Sequence, residues 1–77
     1  MERAVRYSLH ALERMAQRNI HDSEVREALA NQTRETGGAR GTIIRFGTTK
    51  TGRRLKIIQP VDDPGFIITV AASGEGP

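Results

Sequence analysis

"TIIRFGTTKTGRRLKIIQPVDDPGFIITVA" spans residues 42–71, and its reading decides the fold. Three runs rich in β-branched and aliphatic residues, 42–46, 54–59 and 66–71, are separated by "GTTKTG" (47–52) and "PVDDPG" (60–65). Such runs, bounded by Gly, Pro and Asp clusters, predict strands. The first connection is too long for a two-residue hairpin turn, yet both are too short for a crossover. The strands are therefore expected as antiparallel neighbours, with no parallel pair. Alternation sorts each strand into two faces. Leu55 and Ile57 share one face with Phe66, Ile68 and Val70. Arg45, Arg54, Lys56 and Thr69 are expected on the other, amid a few aliphatic residues.

Upstream, "TRETGGARG" (33–41) holds three glycines and no apolar residue larger than Ala39, which reads as a loop or at most a weak edge strand. Before it lie two helical segments. "HALERMAQRNI" (10–20) repeats apolar residues at helical spacing, with Ser8 as a good N-cap and Asn19 tolerant of the left-handed C-cap. Its inward stripe is expected to be Leu9, Leu12, Met15, Ala16 and Ile20. In "IHDSEVREALAN" (20–31), a start at His21 puts Glu24 at a capping-box position and pairs Ile20 with Val25 as a hydrophobic staple. A start at Asp22 is the alternative. Val25, Ala28 and Leu29 form the buried stripe of this short helix.

The predicted fold is α+β: two N-terminal helices packed on one face of a three- or four-stranded antiparallel sheet. Leu12, Met15, Val25, Leu29, Ile57, Ile68 and Val70 are the expected core. A single domain over 1–77 follows, helical over about 8–31, sheet over about 42–71, with a frayed tail at 73–77.

Seventy-seven residues build only a thin core. With no cysteine and two histidines, neither disulfides nor a zinc site is expected to reinforce it, so packing or self-association must. No cofactor is expected. No apolar run approaches the roughly 20 residues of a membrane span, and "MERAVRYS" has no secretory apolar core; the expected location is cytoplasmic.

The net charge of +3 is unevenly spread. Residues 1–32 balance five arginines against five acids, whereas residues 33–59 carry seven basic side chains against the single Glu35. A basic middle on a nearly neutral remainder is the footprint of a polyanion binder. Ten of the twelve basic residues are arginine, whose planar fork of donors matches phosphate; GC-rich coding favours arginine equally well. Arg53, Arg54 and Lys56, with Lys50 on the adjoining loop, are the densest cluster.

His10, Arg14 and Arg18 lie four residues apart, so they fan across roughly 80° of one face of the first helix. Histidine gains and loses a proton near neutral pH, and arginines beside it suit phosphate. An ordinary solvated helix face explains the same three residues, and Arg18 can pair with Glu13 or Glu24. Glycine-rich phosphate loops, carboxylate-pair motifs and nucleophilic cysteines are absent, and turn formation explains Asp62 and Asp63.

"YSLHALERMAQRNIHDSEVREAL" (7–29) resembles the bacterial family labelled domain of unknown function 4258. Its members open with a Ser/Thr-x-His-Ala-x-x-Arg-Met-x-x-Arg-Gly-Ile helix, followed by a short helix beginning Ser-x-x-Asp/Glu-Val. Ser8, His10, Ala11, Arg14, Met15, Arg18 and Ile20, then Glu24 and Val25, match that pattern. "GRRLKII" (52–58) and "FIITV" (66–70), including Thr69, are similar to the family's final strands. Asn19 stands where the family prefers glycine, and His21 where it prefers a serine cap.

The resemblance implies a place beside the barnase, EndoU, colicin and RelE group of ribonuclease-like folds. It therefore implies a metal-independent endoribonuclease of toxin type, in which the RNA's own 2′-hydroxyl attacks. His10 would be the acid or base, Arg14, Arg53, Arg54 and Lys56 would stabilise the phosphorane, and Thr69 would orient the substrate. The catalytic set is then His10, Arg14 and Thr69. The nucleic-acid-binding set is Arg18, Arg45, Lys50, Arg53, Arg54 and Lys56. Two rivals stand beside it: a non-catalytic nucleic-acid-binding module, and a protein-interaction domain pairing with an antitoxin-like protein or with itself. All single-site chemistry requires His10 and the basic strands to line one cleft.

Overall fold

A computed structural model describes residues 5–72. The expected tail at 73–77 lies outside them. The elements run β1 (Arg6–Tyr7), α1 (Leu9–Arg18), α2 (Asp22–Ala30), β2 (Gln32–Gly37), β3 (Thr42–Thr48), β4 (Arg54–Pro60), β5 (Phe66–Ile67) and β6 (Thr69–Ala72). The protein is α+β, with two helices and an antiparallel four-stranded sheet in the order β2-β3-β4-β6.

Both helices start and stop where their capping residues sit. The Ser8 hydroxyl accepts the Ala11 N–H at 2.9 Å. Asn19 adopts the left-handed conformation at φ 55°, and the Ile20 N–H closes back onto the Met15 carbonyl at 2.8 Å. His21 is the N-cap of α2, and its N–H donates to Glu24 Oε1 at 2.9 Å. Ile20 and Val25 are both buried, as a hydrophobic staple requires.

Ala11 and Met15 of α1 share one core with Ile20, with Val25 and Ala28 of α2, and with Leu55, Ile57, Ile67 and Val70. The expected burial of Met15, Val25, Ile57 and Val70 holds, and Leu29 packs half-buried against them. The stripe of α1 is rotated from the expected one: Leu9 is 74% and Leu12 48% exposed, and Ala16 is exposed too. Ser8 explains the rotation. Its N–H donates to the Ile67 carbonyl and its hydroxyl to the Ile68 carbonyl at 2.6 Å, so the helix is anchored before its first turn. That anchor turns the small Ala11 toward the sheet.

Within 33–41 the edge-strand alternative holds: residues 32–37 form the edge strand β2, with a bulge between Gln32 and Arg34. Two further expectations are corrected. The run 66–71 is two strands, broken at Ile68. Its N–H donates to the Ile58 carbonyl while Ser8 takes its own carbonyl. The break resets the alternation, so Ile67 and Val70 are buried and Ile68 is only half-buried. Moreover, β1 and β5 pair in parallel, Arg6 opposite Phe66 and Tyr7 opposite Ile67, although only antiparallel neighbours are expected. An Arg6–Asp63 pair, in which Nη2 alone donates to both carboxylate oxygens at 2.6 and 2.7 Å, reinforces this short ladder.

Tyr7 also ties β1 to α2, donating its hydroxyl proton to Asp22, which accepts Arg26 Nε at 2.8 Å. Burial first, and the Asp22 carboxylate second, push the Tyr7 phenol well above its ordinary value. The hydrogen bonds from Tyr7 and then Arg26 hold Asp22 below the usual carboxylate range.

Candidate nucleic-acid interface

Strand alternation and register build the candidate surface. The odd-numbered residues of β4, Leu55, Ile57 and Gln59, are buried. The even-numbered ones, Arg54, Lys56, Ile58 and Pro60, are not. Register carries this division across the sheet. Arg34, Phe46, Lys56 and Ala71 form one cross-strand row, and Thr36, Ile44, Ile58 and Thr69 form the next. Arg54 lies opposite Thr48. None of these residues is buried, and none is acidic.

At the centre of this outer face stands Phe46. The Arg34 guanidinium carbon lies over its ring, 4.3 Å from the centroid. At an exposed site such a contact is worth about 0.5–1 kcal/mol. Beside the pair is a cleft of about 410 Å³ lined by Thr33, Arg34, Phe46, Gly47, Arg54 and Leu55. Lys56 is the direct register partner of Phe46 on its other side.

The arginines divide sharply. Arg6 pairs with Asp63 and Arg26 with Asp22. Arg45 bonds Glu35 at 2.7 Å and Gln59 Oε1 at 2.8 Å. Arg53 donates to the Arg18 and Asn19 carbonyls at 2.7 and 2.9 Å and to Glu24 at 3.4 Å, closing the C-terminal end of α1. The side chains of Arg34, Arg54 and Lys56 make no hydrogen bond or ion pair with another described residue.

Of the predicted site residues, Arg54, Lys56 and Thr69 share the outer face. Arg45 does not. It belongs to the row Glu35, Arg45, Ile57 and Val70, whose last two members are in the core, so its expected place beside Arg54 and Lys56 is corrected by register. Lys50 is exposed on the β3–β4 loop, where its N–H donates to Glu27 at 3.0 Å. His10, Arg14 and Arg18 are exposed on α1, and their side chains bond no other described residue. Because Ala11 and Met15 of that helix join the core beneath Leu55 and Ile57, the stripe lies across the sheet from Arg54 and Lys56.

Arg34 and Phe46 are the residues that sequence reasoning passed over. The alternation of Thr33, Arg34, Glu35 and Thr36 was the available signal, since threonine favours strands. The nearby glycines masked it. Among the described residues, no three His, Cys, Asp or Glu side chains come together as a metal site, and no helix is long and apolar enough to cross a membrane.

The family described as domain of unknown function (DUF4258) matches residues 7–71. The chain belongs to it. Membership in DUF4258 takes in both helices and nearly all of the sheet, hence the outer face as well as α1, and its description assigns no activity. No curated protein and no solved structure matches the chain.

Proposed function

We propose that the chain binds RNA on the outer face of its sheet, as a non-catalytic module. One observation carries the reading: Arg34, Arg54 and Lys56 stand together on a face without an acid, whereas Arg6, Arg26, Arg45 and Arg53 are each bonded to one. Cations that stabilise a fold find acids, because burying or crowding a charge without a partner is costly. A group of cations with no acid beside them among the described residues, on an open sheet, suits phosphate, and the net charge of +3 favours approach. The half-buried Ile44 and Ile58 and the hydroxyls of Thr36 and Thr69 extend the same face for contacts with sugar and base. Cleavage by His10 is disfavoured by the same geometry, since phosphate held at Arg54 and Lys56 is across the sheet from the imidazole.

Titrating a short single-stranded RNA against salt tests this. Affinity should fall linearly on logarithmic axes, because contacts release condensed counterions. Replacing Arg34, Arg54 and Lys56 by glutamine should flatten that slope by about 2, at roughly 0.7 per lost contact with a single strand. An unchanged slope would move the contact surface elsewhere. Metal-free cleavage by the wild type that His10→Ala abolishes would replace the binding reading with the endoribonuclease one.

A further inference from the structure

We infer that Phe46 and Arg34 form a clamp for one unpaired base, which makes the surface selective for single strands over duplex. The inference rests on the reading that the outer face takes RNA, and it adds what part of the RNA is recognised.

Phe46 is the one aromatic residue among the described members of that face; Tyr7 and Phe66 belong to the separate parallel pair. It sits on β3, a central strand, so its ring is held by neighbours on both sides and rises from the middle of an open surface. Every base has a flat π-face, and an exposed ring on a sheet is a stacking platform that tolerates any sequence. Cations flank that ring on both sides, Arg34 from β2 and Lys56 from β4.

Arg34 adds the second jaw. Its guanidinium lies 4.3 Å from the ring centroid and has no hydrogen bond to hold it there. Arg45 and Arg53, by contrast, are each fastened by at least three. A guanidinium kept in place by ring contact alone can lift and close again over an inserted base, giving a stack of ring, base and planar cation. The cleft beside the pair, about 410 Å³, falls within the size range of small-molecule sites. Arg54 lines that cleft too, which puts a phosphate-binding group beside the stacked base.

Duplex bases are already stacked on one another, so a duplex can offer this surface only its phosphates. The clamp therefore converts a general attraction for polyanions into a preference for unpaired strands.

The test uses the full chain with a single-stranded RNA carrying one 2-aminopurine, and with the same strand annealed to its complement. Binding of the single strand should change the probe's fluorescence, and it should be tighter than binding of the duplex. Phe46→Leu should lose the fluorescence change and weaken single-strand binding on the order of tenfold, with the salt slope kept. Arg34→Lys keeps the charge and loses the plane, so it should likewise keep the slope and lose the stacking signal. Melting curves verify that both variants fold; if Phe46→Leu does not, Arg34→Lys on the exposed edge strand decides alone. Salt-dependent binding with no fluorescence change, or with wild-type affinity in these variants, would overturn the clamp and leave the RNA reading standing. Absence of any salt-dependent RNA binding would overturn both.

Discussion

Arg45 and Phe46 are adjacent in sequence and point to opposite sides of the sheet. Their fates differ accordingly: one is bonded to Glu35 and Gln59, the other is a ring on an open face. Residue type alone does not separate an arginine that holds the fold from one that can meet phosphate; face and partner do. Two predictions belong at this scale. Met15 is 7% exposed, so Met15→Ala should cost about 2–5 kcal/mol in urea melts. Leu12→Ala, on the exposed arc of the same helix, should stay within about 0.5 kcal/mol. Equal losses would put Leu12 back in the core.

Asp22 supplies the second prediction. Tyr7 and Arg26 hold its carboxyl below the usual range, while the unfolded chain titrates at about 3.9. Its stabilisation is therefore fully present above about pH 4 and is lost as pH falls through the lower, folded value. The melting-temperature gap between wild type and Asp22→Asn should be full at neutral pH and close in acid. A gap independent of pH would reduce Asp22 to packing. Tyr7 acts at the other end of the scale: its raised value makes the fold lose stability as pH climbs above about 10.

At the scale of elements, α2 crosses β3 so closely that a Cβ on Gly47 would stand 1.9 Å from the Ala28 carbonyl oxygen. Backbone cannot yield as a flexible side chain can. Gly47→Ala should destabilise by about 3 kcal/mol or more, the upper end for overpacking. Gly37→Ala, on the open edge strand with nothing within 4 Å, should change stability by less than about 1 kcal/mol. Melts of the two variants side by side check this, and similar losses would show that strand propensity, and not the helix contact, sets the cost. Legibility followed the same line. The caps of α1 and the strands over 42–60 were readable because local spacing and capping chemistry determine them. The break at Ile68 and the rotation of α1 were not, because both come from Ser8 bonding to residues some sixty positions away. The edge strand β2 was half-legible, its threonines pointing one way and its glycines the other.

For the whole molecule, the basic block at 33–59 was visible as composition, but its division into fastened and available cations was not. That division needs the register between β2, β3 and β4, which places Arg34 beside Phe46 and Arg45 beside Ile57. A cleft shared by His10 and the basic strands was a condition that the sequence left open for the candidate site. Its helical and strand components are separated by the core that joins them. What register adds to the basic block is one face on which Arg34, Arg54 and Lys56 stand without an acid.

The pairing of β1 with β5 has a consequence for how the chain is made. Synthesis proceeds from the N-terminus, so α1 leaves the ribosome long before Phe66 and Ile67, the residues that seat β1 and, through Ser8, the helix start. Until then Ala11 and Met15 have no Val70 or Ile67 to pack against. The helix α1, synthesised before the strands it packs against, is thus among the last elements to dock. Closure over so long a stretch of chain is expected to slow folding relative to what short helices and hairpins alone would give.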